Sequence, residues 1–199
     1  AADSNYTVSF VTADFTITAA SLTVTASDQT KVYGATDPTL TYSITGFENG
    51  DEEADLDTGV SISRAAGEDV DTYTITPSAA ADSNYTVSFV TADFTITAAS
   101  LTVTASDQTK VYGATDPTLT YSITGFENGD EEADLDTGVS ISRAAGEDVD
   151  TYTITPSAAA DSNYTVSFVT ADFTITAAAL TVTASDQTKV YGATDPTLT

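Results

Sequence analysis

Apolar and hydroxyl-bearing residues alternate along most of this chain. Leu22-Thr-Val-Thr-Ala26 places an apolar side chain at every second position, the period of a strand with one buried face. The same alternation predicts strands at Lys31–Tyr33, Leu40–Thr45, Val60–Arg64, Val70–Thr76, Tyr85–Phe89 and Phe94–Thr97, with Leu40, Tyr42 and Ile44 on the core face of the third. Ser27-Asp28-Gln29 breaks the first strand, Gly34 suits a turn of positive φ, Pro38 suits the start of a strand, and Pro77 closes the fifth. Tyr85–Phe89 and Phe94–Thr97 read as the arms of a hairpin around Thr91-Ala92-Asp93. Only Phe47–Gly59 leaves the β pattern. There Asn49-Gly50-Asp51 is expected to cap one helical turn, with Glu52 and Glu53 near its positive end and Ala54 and Leu56 turned inward. Strands rich in Thr, Val, Ile, Tyr and Phe fit half-buried sheet surfaces. The expected fold is all-β, with six or seven strands per unit in a small β-sandwich or a β-grasp-like sheet.

The pattern recurs. Leu22, Leu101 and Leu180 open the same words, a period of 79 residues. Residues 22–100 and 101–179 differ only where Ser100 is matched by Ala179. We therefore expect two complete repeats, 22–100 and 101–179. The closing part of an incomplete repeat spans 1–21, and the opening part of another spans 180–199. Starting and stopping within a repeat implies a piece of a longer periodic chain. At the seam Phe94–Ala105, Phe94, Ile96 and Ala98 share one parity while Leu101 and Val103 share the other. The apolar side thus changes face across Ala99-Ser100, which predicts passage from one core to the next with almost no slack.

Charge narrows the function. The net charge is −25, and residues 22–100 set only Lys31 and Arg64 against 13 carboxylates. Such a surface repels nucleic acid and anionic membranes, and no apolar run is long enough to enter a bilayer. No Cys is present for disulfides or thiolate metal sites, and no His for general base catalysis. Acid pairs such as Asp69/Asp71 are the remaining catalytic candidates, and a wet strand face accounts for them. No enzymatic activity is expected.

Lys31-Val-Tyr-Gly-Ala-Thr-Asp-Pro-Thr-Leu-Thr-Tyr-Ser-Ile-Thr-Gly-Phe47 resembles the YGX-type MBG domain. So do Asn49-Gly50-Asp51, Thr72-Tyr73, Asn84-Tyr85-Thr86 and Phe94–Thr97, in family order and across the whole unit. Ala35 departs from the acidic residue that often follows Tyr-Gly. The resemblance implies a β-rich extracellular module, arrayed in large bacterial surface proteins and adhesins, and transfers no catalytic residue.

Four further features bear on chemistry. Asp51, Glu52, Glu53, Asp55 and Asp57, with Asp130, Glu131, Glu132, Asp134 and Asp136 in the second repeat, crowd carboxylates in the way hard cations prefer. The run lacks the twelve-residue EF-hand pattern, so calcium stands as a candidate beside plain solvation, and no cofactor is required. Asn5, Asn84 and Asn163 each begin Asn-Tyr-Thr, an N-glycosylation acceptor that also suits a turn. Lys31, the sole Lys of its unit, is expected to pair with the acidic surface rather than form an amide with an Asn or Asp. The aromatic residues sit mostly in core phase, which accounts for them without a sugar-binding face. The expected role is structural: stalk or filament repeats of a secreted or cell-surface protein. Their expected neighbours are other repeats of the chain, or other copies in a fibre, and the cell or matrix ligand is unspecified. The alternative is a repeated glycan- or calcium-binding module that acts through avidity.

Overall fold

The computed structural model describes residues 4–198. Contacts divide the chain into two compact units between Ala99 and Ser100. The first contains β1 (Ala20–Ala26), β2 (Gln29–Val32), β3 (Tyr42–Thr45), β4 (Ser61–Arg64), β5 (Thr72–Ser78), β6 (Tyr85–Val90) and β7 (Ala92–Thr97). The second repeats them as β8 (Ala99–Ala105), β9 (Gln108–Val111), β10 (Tyr121–Thr124), β11 (Ser140–Arg143), β12 (Thr151–Ser157), β13 (Tyr164–Val169) and β14 (Ala171–Thr176). The all-β reading holds, and the two-sheet alternative is the one the chain adopts.

In each unit a three-stranded sheet, β3-β1-β6, is joined by a four-stranded one, β2-β7-β5-β4. Leu22 and Val24 of β1 and Ile75, Phe94 and Ile96 of the larger sheet are all buried. In the second unit Ala105 of the smaller sheet clusters with Ile154, Phe173 and Ile175 of the larger, and Leu119, Ile141 and Tyr152 pack against that cluster. Both inner faces thus build one core, and each fully buried aliphatic or aromatic side chain contributes about 1.5–3 kcal/mol.

The expected hairpin does not form. β6 lies beside β1 in one sheet, and β7 lies between β2 and β5 in the other. Thr91 alone links them, too little for the turn that reverses a chain. Instead the chain crosses between sheets, as it also does from β1 to β2 through Ser27 and Asp28. The two legs run side by side: β1 pairs parallel with β6 from Ala20↔Tyr85 to Thr25↔Val90, and β2 pairs parallel with β7 from Gln29↔Phe94 to Val32↔Thr97. At the crossing the Asp93 amide donates to Asp28 Oδ1 at 2.9 Å. Changing sheet requires a change of phase, because a strand must turn its apolar side to the shared core from the opposite direction.

Three local expectations are corrected. Pro77 does not end β5 but lies inside it, opposite Ile62 of β4. Pairing of β5 with β7 stops at Ile75↔Ala92, so Pro77 sits where one side of the strand needs no donor. Asn49 and Gly50 take φ of 57° and 88°, and the Asp51 amide donates to Glu48 O at 3.0 Å. That is the tight turn Asn-Gly favours, not a helix cap. The helical element is a 3-10 turn at Glu53–Asp55, where Ala54 is exposed and Leu56 half-buried.

The flanks supply an internal control. Residues 6–17 repeat the words of β6 and β7 yet form no strand: Phe15 is 91% exposed where Phe94 is 0%. Leu180 is likewise 90% exposed where Leu101 is 0%.

Candidate functional site

The most concentrated chemistry in each domain is a four-charge cluster that alternation did not reveal. Lys31 of β2 and Tyr33 just after it are buried while Val32 is exposed, and the lone Lys pairs with acidic side chains as expected, but from a buried position. Lys31 Nζ lies 2.7 Å from Asp37 Oδ1 and also donates to Glu68 Oε2. Arg64, at the end of β4, reaches the same two carboxylates: its Nε is 2.5 Å from Asp37 Oδ2 and its Nη2 is 2.5 Å from Glu68 Oε1. The guanidinium lies over the Phe94 ring at 4.7 Å and near Tyr73 at 5.6 Å, and Nη1 donates to the carbonyls of Ala65 and Gly67. Gly67 is required here. Its φ is 147°, and a Cβ would come 2.0 Å from Tyr73 Cε1.

The cluster is charge-balanced, and each member fixes the ionisation of the others. Burial alone would lower the Lys31 ammonium, but Asp37 and Glu68 outweigh it and hold it above the ordinary lysine value. Arg64, then Lys31, hold Asp37 below the usual carboxylate range, and Lys31, then Arg64, do the same for Glu68. In the second domain Lys110, Asp116, Arg143 and Glu147 repeat the arrangement, with Lys110 Nζ to Asp116 at 2.6 Å and Arg143 Nε to Asp116 at 2.5 Å. Arg143, then Lys110, bring Asp116 down to about 2. Groups held in their charged forms at neutral pH are not poised to exchange protons. Direct Lys31–Asp37 amide formation needs a neutral amine and a neutral acid, the opposite of this pairing. The cluster ties β2 and its following loop to β4, at the opposite edge of the four-stranded sheet.

The acidic run is distributed among local partners. Asp51 Oδ2 accepts the Tyr85 hydroxyl at 2.8 Å, Asp55 Oδ2 the Glu52 amide at 2.8 Å, and Asp57 Oδ2 the Ser83 amide at 3.1 Å. Glu53 accepts the Tyr42 hydroxyl, which with burial pushes that phenol upward. Asp130, Asp134, Asp136 and Glu132 repeat these bonds in the second domain, to Tyr164, Glu131, Ser162 and Tyr121. Glu52 is exposed. Among the described residues, no group of three or more acidic side chains is arranged to hold a metal ion. These carboxylates fasten the irregular segment to β3 and to the start of β6.

Asn84 is exposed in the turn before β6, with its amide on Asp82 Oδ1 at 2.7 Å, and Asn163 occupies the same position, half-buried. Asn5 lies in the flank that forms no strand. Asp69 and Asp71 precede β5 rather than lying on it, and Asp71 Oδ1 caps the Thr72 amide at 2.7 Å. Phe47 meets Tyr85 edge-on at 5.9 Å, a packing role for both rings. Among the described residues, no helix is long and apolar enough to cross a membrane.

No curated protein matches the chain. The MBG domain (YGX type) profile matches residues 22–95 and 101–174, more than half of the chain and most of each sandwich. With the Tyr33-Gly34 turn, the Asp37 that anchors the cluster and the Asn84-Tyr85 start of β6 all inside the first match, the chain belongs to the MBG domain (YGX type) family, as two tandem domains of a kind typical of bacterial surface proteins.

Proposed function

We propose that these domains are stalk repeats of a long extracellular surface protein, non-catalytic and acting by reach and stiffness. One observation carries the reading. β7 ends at Thr97 and β8 begins at Ala99, so Ala98 alone separates the last strand of one domain from the first strand of the next. A one-residue link leaves little freedom for a flexible joint, and each domain adds its own length. The use of buried and acidic side chains as internal fasteners agrees with a structural role.

Small-angle scattering on this chain, and on chains carrying further repeats, tests the proposal. A maximum dimension that rises linearly with repeat number is expected, and one that levels off refutes it. A repeated binding module is the second reading. It draws on the exposed row Thr72, Thr74 and Thr76 along the outer face of β5. Glycan binding that strengthens with repeat number would favour it.

A further inference from the structure

We infer that each domain is built as a shear clamp that resists being pulled apart through its own chain ends. A spacer needs length but no strength, so this goes beyond the stalk reading; it rests on strand order and on the ties along the paired strands.

Load along the chain enters a domain at the start of β1 and leaves at the end of β7. Those strands are not partners of each other; each is paired with a strand from the opposite leg. β1 lies parallel to β6 over six paired positions, and β2 lies parallel to β7 over four. Pulling Ala20 backward slides β1 along β6, and pulling Thr97 forward slides β7 along β2. In a parallel pair loaded this way, the force runs along the strands and across the ladder bonds, so the bonds of the pair share it. An antiparallel hairpin drawn open from its free end surrenders its bonds one pair at a time. Both sliding seams must fail before the domain extends.

Extra ties lie on the same two seams. Thr23 Oγ1 and Ser88 Oγ are 3.1 Å apart, and Ser88 Oγ donates to Leu22 O at 3.2 Å, both between β1 and β6. Thr97 Oγ1 donates to Lys31 O at 3.2 Å, and the Tyr33 amide to Thr97 O at 2.8 Å, extending the β2–β7 seam to its last residue. The second domain repeats each: Thr102 with Ser167 at 3.0 Å, Ser167 to Leu101 O at 3.2 Å, Thr176 to Lys110 O at 3.2 Å and Tyr112 to Thr176 O at 2.8 Å. β2 is an edge strand, held on one side only by β7, and the Lys31 cluster anchors it to the far edge of its sheet. Three hydroxyls of the Thr- and Ser-rich alternation, those of Thr23, Ser88 and Thr97, thus fall where sliding is resisted.

Single-molecule pulling on this chain is the test, because forced unfolding reports the barrier and not equilibrium stability. Handles at the two chain ends load the seams in shear. Handles on S61C and S78C, labelled under reducing conditions, instead open the β4–β5 pair from its free end, since Ser61 and Ser78 are paired there. The end-to-end force is expected to be several-fold higher than the hairpin force; equal or lower force overturns the clamp. A second measurement needs no handle inside a sheet. T23V with S88A, and T102V with S167A, should lower the end-to-end force while leaving the melting temperature nearly unchanged, and an unaltered force overturns the assignment of the barrier to these seams. Low end-to-end force beside dimensions that still grow with repeat number ends the clamp and leaves the stalk reading standing.

Discussion

Replacing Lys31 with Met, together with Lys110→Met so that both domains change alike, isolates the charged cluster. Met keeps the length and apolar stem of Lys and deletes the charge. In the first domain two cations facing two carboxylates become one, leaving Asp37 and Glu68 to share Arg64. Removing one partner of a fully buried pair costs about 3–5 kcal/mol. Here the side chains of Asp37 and Glu68 are 38% and 57% exposed, so water solvates part of the uncompensated charge. The expected loss for the first domain is accordingly about 1–2 kcal/mol. The pH profile supplies the more specific signature. Asp37 and Glu68 are depressed in the folded protein, and Asp116 falls from 3.8 to about 2. Stability from a depressed carboxylate is complete above its unfolded value and is lost as pH falls through its folded value, here between about 4 and 2. Without the lysines those carboxylates return towards their ordinary range, so the acid limb moves to higher pH. Protonation of the remaining carboxylates relieves repulsion in both proteins alike, so the difference between the two curves reports the cluster. Urea melts from pH 7 to 2 give that difference. Superimposable acid limbs, or a variant at least as stable as the parent at pH 7, would refute the cluster's stabilising role.

Gly67→Ala should cost at least about 2 kcal/mol in denaturant melts, because the new Cβ meets the Tyr73 ring at a φ of 147°. Phe94→Ala removes the ring beneath Arg64 from a site with no exposure, and the expected loss is about 3–5 kcal/mol. Tyr85→Phe should lower the melting temperature by freeing Asp51 Oδ2 and the Glu48 amide that its hydroxyl now serves. Because Asp51, Asp55 and Asp57 already accept from Tyr85, Glu52 and Ser83, millimolar calcium should shift the melting temperature no more than magnesium at equal ionic strength. A larger, calcium-specific shift would revive a cation site in that run.

Period-two alternation located every strand of the unit, because half-buried sheet surfaces impose it directly on Leu22/Val24, Tyr73/Ile75 and Phe94/Ile96. It was blind to which strands pair. The step from Phe89 to Phe94 reads as a hairpin until the phase change is weighed, and the same change occurs between Ala26 and Lys31. A switch of parity marks a change of sheet within one core as readily as a change of core. The Ala98 seam, where burial passes from Ile96 to Ala99, therefore does not by parity alone distinguish the two cases. The cluster was hidden because a lysine breaks the apolar code. Its one sequence signal was phase: Lys31 shares parity with Tyr33, and Val32 does not. Asp37, Arg64 and Glu68 come from separate loops and a strand end, which no local spacing brings together.

The mutual dependence of the two legs bears on how such a chain can change length in evolution. A sandwich whose opening strands β1 and β2 lie against its closing strands β6 and β7 needs both ends of the unit to complete its two sheets. An inserted period of 79 residues therefore brings a whole sandwich with it. Length then becomes a quantity adjusted in steps of one domain.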